Sequence, residues 1–224
     1  MAASKTNRRR KRALALFLPL LIVLVFGAAI ALNGSTVAQP QLIAHRGGPA
    51  YQPENTMAAF QQATLDGAGW LEFDVQMTQD GSLVVIHDAT VDRTTDGTGA
   101  VAGLTLAEVQ ALDVGNGEHV PTFEEVIAFA KERDVGIVPE AKQPGLYPGI
   151  EEKLVKAIED AGYLDRTIVQ SFSAQTLDRI HAINPELRLC KLYGLWDLSI
   201  QGTQPGQAAY VCPMAEMVLL NPAM

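Results

Sequence analysis

Cysteine is scarce in this sequence of 224 residues, which contains two, Cys190 and Cys212. Two cysteines are too few for the disulfide framework of a small secreted protein. Because an unpaired cysteine behaves as a small apolar side chain, the sequence favours two buried thiols over a bridge between them. We therefore expect the fold to be held by an apolar core, for which 48% hydrophobic residues are available.

Positive charge is scarce after residue 40. The chain has 17 basic and 25 acidic residues, and its first 40 positions hold six of the basic residues and no acid. Residues 41–224 therefore carry 11 basic and 25 acidic residues, a balance of -14. A nucleic-acid partner needs a positive surface facing its phosphates, so this composition argues against nucleic-acid binding.

Residues 13–32 carry no charge and directly follow the basic residues of positions 1–12. A helix of this length is about 30 Å long, which matches the apolar core of a bilayer. Basic flanks stay in the cytoplasm, so residues 33–40 form a linker to a domain outside it. The long apolar run favours a membrane anchor over a cleaved signal, whereas cleavage after Ala38 would release a secreted or periplasmic protein.

Short apolar segments alternate with helical patterns from residue 41 onward. The predicted strands are residues 41–45, 70–77, 83–87, 136–142, 167–172, 187–193 and 209–212. The predicted helices are residues 55–68, 122–133, 149–161 and 174–183. This alternation predicts an α/β fold with a parallel sheet and right-handed crossovers. Residues 89–120, rich in Thr, Asp and Gly with a short helical pattern at 104–112, are interpreted as an insertion.

One predicted strand, residues 70–77, alternates apolar and acidic side chains. Leu71 and Phe73 point to one side of it, and Glu72 and Asp74 point to the other. Buried carboxylates are costly unless a positive charge joins them, and oxygen ligands suit Mg²⁺ or Ca²⁺. The alternative is the solvent-facing polar side of an edge strand, and this strand by itself does not decide between the two.

Ionisable side chains stand at the ends of four predicted strands. Parallel β/α folds assemble active sites at the carboxyl ends of their strands. Groups of both signs at equivalent strand ends therefore indicate one shared site. These residues are His45, Arg46, Glu72, Asp74, His87, Glu140 and Lys142.

An ordered set of short motifs resembles the glycerophosphodiester phosphodiesterases. The motifs cover residues 41 to about 194 and include His45-Arg46-Gly47-Gly48, Pro53-Glu54-Asn55-Thr56, Leu71-Glu72-Phe73-Asp74-Val75, His87-Asp88, Asp92-Arg93-Thr94-Thr95-Asp96-Gly97-Thr98-Gly99, Pro139-Glu140-Ala141-Lys142 and Gln170-Ser171-Phe172. Each motif is modest alone, and the ordered set is specific. The resemblance implies a TIM (β/α)₈ barrel with a small insertion after its third strand.

The resemblance also implies a metal site and a catalytic pair. The family's metal ligands fall on Glu72, Asp74 and Glu140, which would hold one divalent cation, Ca²⁺ or Mg²⁺. Its catalytic histidines fall on His45 and His87. The implied reaction is the hydrolysis of a glycerophosphodiester to an alcohol and glycerol 3-phosphate, with the histidines as acid and base.

Further residues match positions around that centre. Arg46 and Lys142 fall on the family's phosphate-contacting positions. Glu54, Asn55 and Asp88 are motif residues that we expect to support the site. Two alternative functions stay open: a related barrel phospholipase acting on phosphoinositides or sphingolipids, and a catalytically silent, membrane-tethered binding protein.

The chain offers fewer residues than a closed barrel uses. A (β/α)₈ barrel takes roughly 250 residues, and 184 follow residue 40. Residues 209–212 are the seventh predicted strand, and the start of a helix is predicted at 216–221, so we expect strand 8 to be missing. Open strand edges promote association. We therefore expect aggregation or weak substrate binding, and a soluble, cooperatively unfolding product of residues 41–224 would contradict this.

Overall fold

The computed structural model describes residues 41–142, 144–194 and 208–213. Its strands are β1 (Ile43–Ala44), β2 (Trp70–Met77), β3 (Leu83–Val85), β4 (Gly136–Ala141), β5 (Ile168–Ser171), β6 (Arg188–Tyr193) and β7 (Tyr210–Pro213). Its α-helices are α1 (Met57–Leu65), α2 (Leu106–Gln110), α3 (Phe123–Glu132), α4 (Ile150–Asp160) and α5 (Ala174–Ile183).

The sheet is parallel along the order β1-β2-β4-β5-β6-β7. Helices connect most of the neighbouring parallel strands, as in βαβ units. The described strands form a curled sheet consistent with part of a (β/α)₈ barrel, which confirms the predicted α/β fold class. In this arrangement the carboxyl ends of six described parallel strands lie along one rim.

The short strand β3 departs from the prediction. It pairs antiparallel with β2, with Val85 opposite Val75 and Leu83 opposite Met77, and it lies off the parallel path. Residues 78–82 are too few for a parallel crossover, which needs a dozen or more residues, so the chain can only turn back. The interpretation of residues 83–87 as a barrel strand was wrong. The irregular segment thus begins after β2 and includes β3.

The first long helix begins later than predicted, and this matters for the site. Thr56, not Asn55, is the N-cap of α1, and its hydroxyl accepts a hydrogen bond from the Ala59 N–H. Asn55 lies outside the helix in the left-handed region, with φ 58°. Because the Asn55 side chain does not cap the helix, its amide is free to bond with polar side chains of β2.

Two apolar cores hold the described residues together. The main core lies between the sheet and the helices, where Phe73 of β2 stacks edge-on against Phe60 and contacts Phe123. The apolar side of β2 therefore faces the helices. A second, smaller core lies within the irregular segment and is made of Val84, Ile86, Val91, Val101, Val109 and Val120. The insertion is therefore a packed element with a fixed shape.

The two cysteines form a disulfide, contrary to the expectation of separate buried thiols. Cys190 lies on β6 and Cys212 on β7, and their Cα atoms are 6.1 Å apart. Their sequence separation of 22 hides this proximity in the sequence. Parallel pairing of β6 and β7 brings them together.

The predicted membrane segment lies outside the described residues, as do the basic residues 1–12, the linker 33–40 and the helix start at 216–221. Among the residues that the structure describes, no helix has the length and hydropathy needed to cross a bilayer.

Candidate metal and phosphate site

Three carboxylates from two neighbouring strands meet at the rim of the sheet. Asp74 of β2 lies in register with Glu140 of β4, and Glu72 precedes Asp74 on the same face. One oxygen from each carboxylate lies within 4.8 Å of the others. All three side chains are buried. The strand register, rather than any loop, therefore sets the spacing of the cluster.

Two of the three clustered carboxylates resist ionisation. Burial, followed by repulsion from Asp74, raises the pKa of Glu72 to about 8. Burial also raises the pKa of Glu140 to about 7, with repulsion from Asp74 adding to it and the nearby Lys142 ammonium opposing it. Buried groups of like charge favour protonation unless a cation joins them. The three clustered carboxylate oxygens fit a hard divalent ion such as Mg²⁺ or Ca²⁺.

Neutral donors orient two of these carboxylates. Gln170 of β5 donates its Nε2–H to Glu72 Oε1 at 2.7 Å, and Asn55 donates its Nδ2–H to Asp74 Oδ2 at 2.9 Å. The Arg46 backbone N–H donates to Glu72 Oε2 at 2.8 Å. Sequence reasoning missed Gln170 as a site residue, although it forms part of a quoted motif. In the structure Gln170 lies opposite Glu140 in the β4–β5 ladder, a pairing that the sequence does not reveal.

A tight turn after β1 places Arg46 over the carboxylates. Arg46 adopts the left-handed conformation, with φ 51°, inside the short 3₁₀ helix His45–Gly47. At Gly47 a Cβ atom would lie 2.7 Å from the Cβ of Ala59, so the close approach to α1 requires glycine. Arg46 Nε then lies 3.4 Å from Asp74 Oδ2.

Lys142 contacts two of the three carboxylates. Its ammonium lies 3.2 Å from Glu140 Oε1 and 3.7 Å from Asp74 Oδ1. It also lies 3.1 Å from His87 Nε2. Arg46 and Lys142 thus place two positive groups beside the carboxylates, where an anionic ligand would meet both.

The two predicted catalytic histidines have different surroundings. His45 is largely exposed, and its Nε2 lies 3.9 Å from Glu72 Oε2. Partial burial of the ring, together with the Arg46 guanidinium, lowers the pKa of His45. His87 lies in the segment after β3, where Gln76 Nε2–H donates to the His87 carbonyl at 2.8 Å. It therefore reaches the rim from the antiparallel return and not from the end of a parallel strand.

The hydrogen bonds of His87 favour one tautomer. Its Nδ1 lies 2.5 Å from Asp88 Oδ1, which can only accept when ionised, so Nδ1 carries the proton. Nε2, facing the Lys142 ammonium, is then the unprotonated acceptor. Asp88 stays ionised because its hydrogen bond from Arg93, above all, lowers the pKa of Asp88 to about 2.

The remaining sequence-predicted supporting residue, Glu54, lies between two arginines. Its Oε1 accepts from Arg46 Nη1 at 3.2 Å and from Arg93 Nη2 at 2.7 Å. Burial opposes ionisation of Glu54, but the bonds from Arg93 and Arg46 prevail and lower its pKa. The structure therefore brings all ten sequence-predicted site residues to one rim and adds Gln170 and Arg93.

A parallel β/α sheet presents a carboxylate cluster at the carboxyl ends of its strands, and imidazole, guanidinium and ammonium groups surround that cluster. The sequence profile of the glycerophosphoryl diester phosphodiesterase family matches residues 45–201, which is more than half of the chain. This chain belongs to that family, as its motifs predicted.

Similar proteins carry the same family name. The chain is 46% identical over 160 residues to a glycerophosphodiester phosphodiesterase of Caldanaerobacter subterraneus subsp. tengcongensis, covering 68% of this chain and 66% of the relative. It is 36% identical over 211 residues to a glycerophosphodiester phosphodiesterase of Bacillus subtilis, covering 82% and 71%. The match thus spans about two thirds of the length of these relatives.

A solved structure shares the fold. A phosphodiesterase from Oleispira antarctica, in complex with its product sn-glycerol-3-phosphate, superimposes with a TM-score of 0.66. It is 32% identical, and the match covers 69% of this chain and 66% of that one.

Proposed function

We propose that this protein hydrolyses glycerophosphodiesters to an alcohol and glycerol 3-phosphate with the help of one divalent cation. The observation that carries the proposal is the meeting of Glu72, Asp74 and Glu140 beside two histidines and two basic side chains. Support for the substrate comes from the relatives' names and from the product bound to the Oleispira antarctica phosphodiesterase.

Glu72, Asp74 and Glu140 would hold the cation, Ca²⁺ or Mg²⁺. Two of these carboxylates have pKa values raised to about 8 and about 7, so a cation would relieve a cost that the protein otherwise meets by binding protons. When bound, a divalent cation supplies positive charge to a phosphate oxygen and lowers the pKa of an attacking hydroxyl. Gln170 and Asn55 fix the orientation of the carboxylates that receive it.

The basic side chains bind and orient the phosphodiester. Arg46 offers a planar fork that matches two phosphate oxygens, and Lys142 offers a compact charge beside two of the carboxylates. Both positive groups stabilise the negative charge that grows on the phosphate oxygens in the transition state. Substrate bound between them displaces water from the carboxylate rim.

The two histidines move the protons. One imidazole takes the proton of the attacking oxygen, and the other gives a proton to the leaving alkoxide, each transfer contributing roughly 10²–10⁴ in rate. If water attacks, glycerol 3-phosphate forms directly; if the glycerol hydroxyl of the substrate attacks, a cyclic phosphate forms and water then opens it to glycerol 3-phosphate. His87 has an unprotonated Nε2 directed at the site and a fixed Nδ1–H, which suits it to accept a proton. His45 lies on the opposite side, beside Glu72.

The decisive assay measures alcohol and glycerol 3-phosphate released from glycerophosphocholine, with intact phosphatidylcholine, phosphatidylinositol and sphingomyelin in parallel. We expect turnover of the glycerophosphodiester that is lost with EDTA and restored by Ca²⁺ or Mg²⁺. Glu72→Gln should abolish turnover. Glu151→Gln, which alters a buried glutamate of α4 away from the site, should not.

Three results would contradict the proposal. Turnover that survives both EDTA and Glu72→Gln would remove the metal assignment. Preference for intact phospholipids would favour the phospholipase alternative. Binding of glycerophosphodiesters without turnover would favour a silent binding protein.

We further propose that residues 13–32 anchor the chain in a membrane, with residues 41–224 outside the cytoplasm. The uncharged run after a basic cluster supports this orientation. The Cys190–Cys212 disulfide suits an oxidising compartment outside the cytoplasm. Protease added to intact cells should digest the domain, and alkaline carbonate should fail to extract the protein from membranes. Recovery in the culture medium would indicate cleavage.

A further inference from the structure

Arg93, a residue of the insertion, joins two acidic side chains of the site. Its Nε donates to Asp88 Oδ2 at 2.6 Å and its Nη2 to Asp88 Oδ1 at 3.3 Å. Nη2 also donates to Glu54 Oε1 at 2.7 Å. A guanidinium can donate two parallel hydrogen bonds to one carboxylate and a further hydrogen bond to a second carboxylate. A lysine ammonium cannot reproduce this geometry.

Each of these acidic side chains leads to a residue of the proposed reaction. Asp88 Oδ1 accepts from His87 Nδ1 at 2.5 Å. Glu54 Oε1 accepts from Arg46 Nη1 at 3.2 Å. Arg93 is therefore one carboxylate away from a proton-transfer residue and one carboxylate away from a phosphate-binding residue.

The same contacts continue across the metal cluster. Arg46 Nε lies 3.4 Å from Asp74 Oδ2, and the Lys142 ammonium lies 3.7 Å from Asp74 Oδ1 and 3.1 Å from His87 Nε2. The contacts thus close into a ring. Its members are Asp74, Arg46, Glu54, Arg93, Asp88, His87 and Lys142.

The backbone around Arg93 is held firmly. Val91 is fully buried in the core of the insertion, and its N–H donates to the Gly99 carbonyl at 2.9 Å. The Thr95 N–H and hydroxyl both donate to the Val91 carbonyl, which closes the turn that carries Arg93. The guanidinium is therefore presented by a packed element and not by a free loop.

Stabilisation of the fold by a surface ion pair does not account for the position of Arg93. Exposed pairs contribute little to stability, and the Arg93 side chain is 48% exposed. What sets Arg93 apart is that Asp88 accepts from Arg93 and from the His87 imidazole at the same time. A carboxylate turned away from His87 would leave the imidazole free to rotate and to exchange its tautomer.

We infer that Arg93 is a positioning residue that holds the His87 imidazole in its working orientation and tautomer through Asp88, with Glu54 steadying the guanidinium. The inference rests on the proposed function in so far as His87 transfers a proton. Through Arg93, the insertion then takes part in positioning a group that reacts.

Kinetics of a double-mutant cycle test whether Arg93 acts through His87. Arg93→Ala should lower kcat for glycerophosphocholine roughly 10-fold, the scale of losing an outer residue that orients a reacting group. In the His87→Ala background the same change should cost nothing further. Arg93→Lys should recover only part of kcat. An equal fold-loss in both backgrounds, or a change confined to KM, would overturn the inference.

A matched control separates positioning from stability. Arg179 of α5 is 52% exposed and its Nε lies 3.2 Å from Glu151 Oε1, a comparable pair away from the site. Arg179→Ala should leave kcat unchanged. If Arg93→Ala and Arg179→Ala lowered kcat alike, Arg93 would have no special role.

A second measurement decides the inference even if the protein shows no turnover. The chain has four histidines, so ¹⁵N-histidine NMR spectra can be assigned by single substitutions. We expect a protected Nδ1–H signal from His87 in the wild type and in Arg179→Ala, and its loss or tautomer exchange in Arg93→Ala. An unchanged His87 signal in Arg93→Ala would overturn the inference. Lack of turnover in the wild type would instead count against the proposed function.

Discussion

At the scale of residues, the site depends on side chains that hold other side chains. Glu72 receives one hydrogen bond from the Gln170 amide and one from the Arg46 backbone, and Asp74 receives one from Asn55. These donors have neutral or backbone N–H groups, so they orient the carboxylates without cancelling the charge that attracts a cation.

Gln170→Ala should weaken divalent-cation binding while leaving the fold intact. The substitution removes the 2.7 Å bond to Glu72 Oε1, and loss of such an orienting partner costs roughly 10-fold in metal affinity. Calorimetric titration with Ca²⁺ and Mg²⁺ measures the change. The matched control is Gln110→Ala. Gln110 Nε2 donates an exposed hydrogen bond to Glu125 Oε2 at 3.4 Å. Equal affinities in the two variants would show that Gln170 is not needed.

Gly47→Ala should destabilise the protein more than Gly48→Ala. Both glycines have positive φ, 78° and 70°, so each alanine costs about 1 kcal/mol in backbone strain. At Gly47 the new Cβ would also lie 2.7 Å from the Cβ of Ala59, whereas at Gly48 it meets nothing within 4 Å. Urea unfolding gives the difference in free energy of unfolding. Equal free energies of unfolding in the two variants would mean that α1 shifts at no cost to make room for the new Cβ.

At the scale of elements, the insertion and the end of the described sheet are fastened by different means. The insertion has its own apolar core and is joined to the rim through Arg93. Strand β7 is paired with β6 along the ladder and cross-linked to it by Cys190–Cys212. The hairpin of β2 and β3 shows that a five-residue connection decides strand direction before any packing is considered.

Removing the disulfide should release β7 from β6. For a loop of 22 residues the constraint on the unfolded chain contributes about 3 kcal/mol. We expect Cys190→Ala/Cys212→Ala to lower the free energy of unfolding by about this amount. Amide exchange should rise in Tyr210–Pro213 more than in β2. Thiol titration should detect two free thiols only after reduction, and two reactive thiols in the native, unreduced protein would contradict the bridge.

At the scale of the whole molecule, the carboxylate cluster couples folding to protons and cations. The pKa values of Glu72 and Glu140 are about 8 and about 7 in the folded protein, against 4.5 as the ordinary value. A folded state with raised carboxyl pKa values binds more protons than the unfolded chain. The contribution of the Glu72 and Glu140 carboxyl groups to the free energy of unfolding is therefore largest at low pH and is lost as pH rises through 7 to 8.

The metal-free protein should thus lose thermal stability between pH 5 and pH 8, and a saturating divalent cation should restore more at pH 8 than at pH 5. Cation and protons compete for the same oxygens, which explains the difference. Calorimetric Tm values with EDTA or Ca²⁺ measure both effects. Glu72→Gln/Glu140→Gln should flatten the pH dependence relative to the wild type. An unchanged slope in this variant would locate the effect elsewhere.

Much of this site could be predicted from the sequence because its residues stand in short motifs with regular spacing. The alternation in β2 placed Glu72 and Asp74 on one face, and the motifs supplied Glu140 and both histidines. The position of His87 was predicted for the wrong reason, since β3 runs antiparallel. Gln170 and Arg93 were missed because a neutral amide and an exposed arginine show their importance only through the carboxylates they touch.

Residue types at local spacings were enough to predict the α/β alternation, the acidic face of β2 and the family. The folded chain alone shows which separated residues meet: Asp74 beside Glu140, Cys190 with Cys212, and Arg93 between Asp88 and Glu54. These pairings depend on strand register and direction, and on how the insertion packs. Such properties arise from contacts between distant segments, which no local pattern encodes.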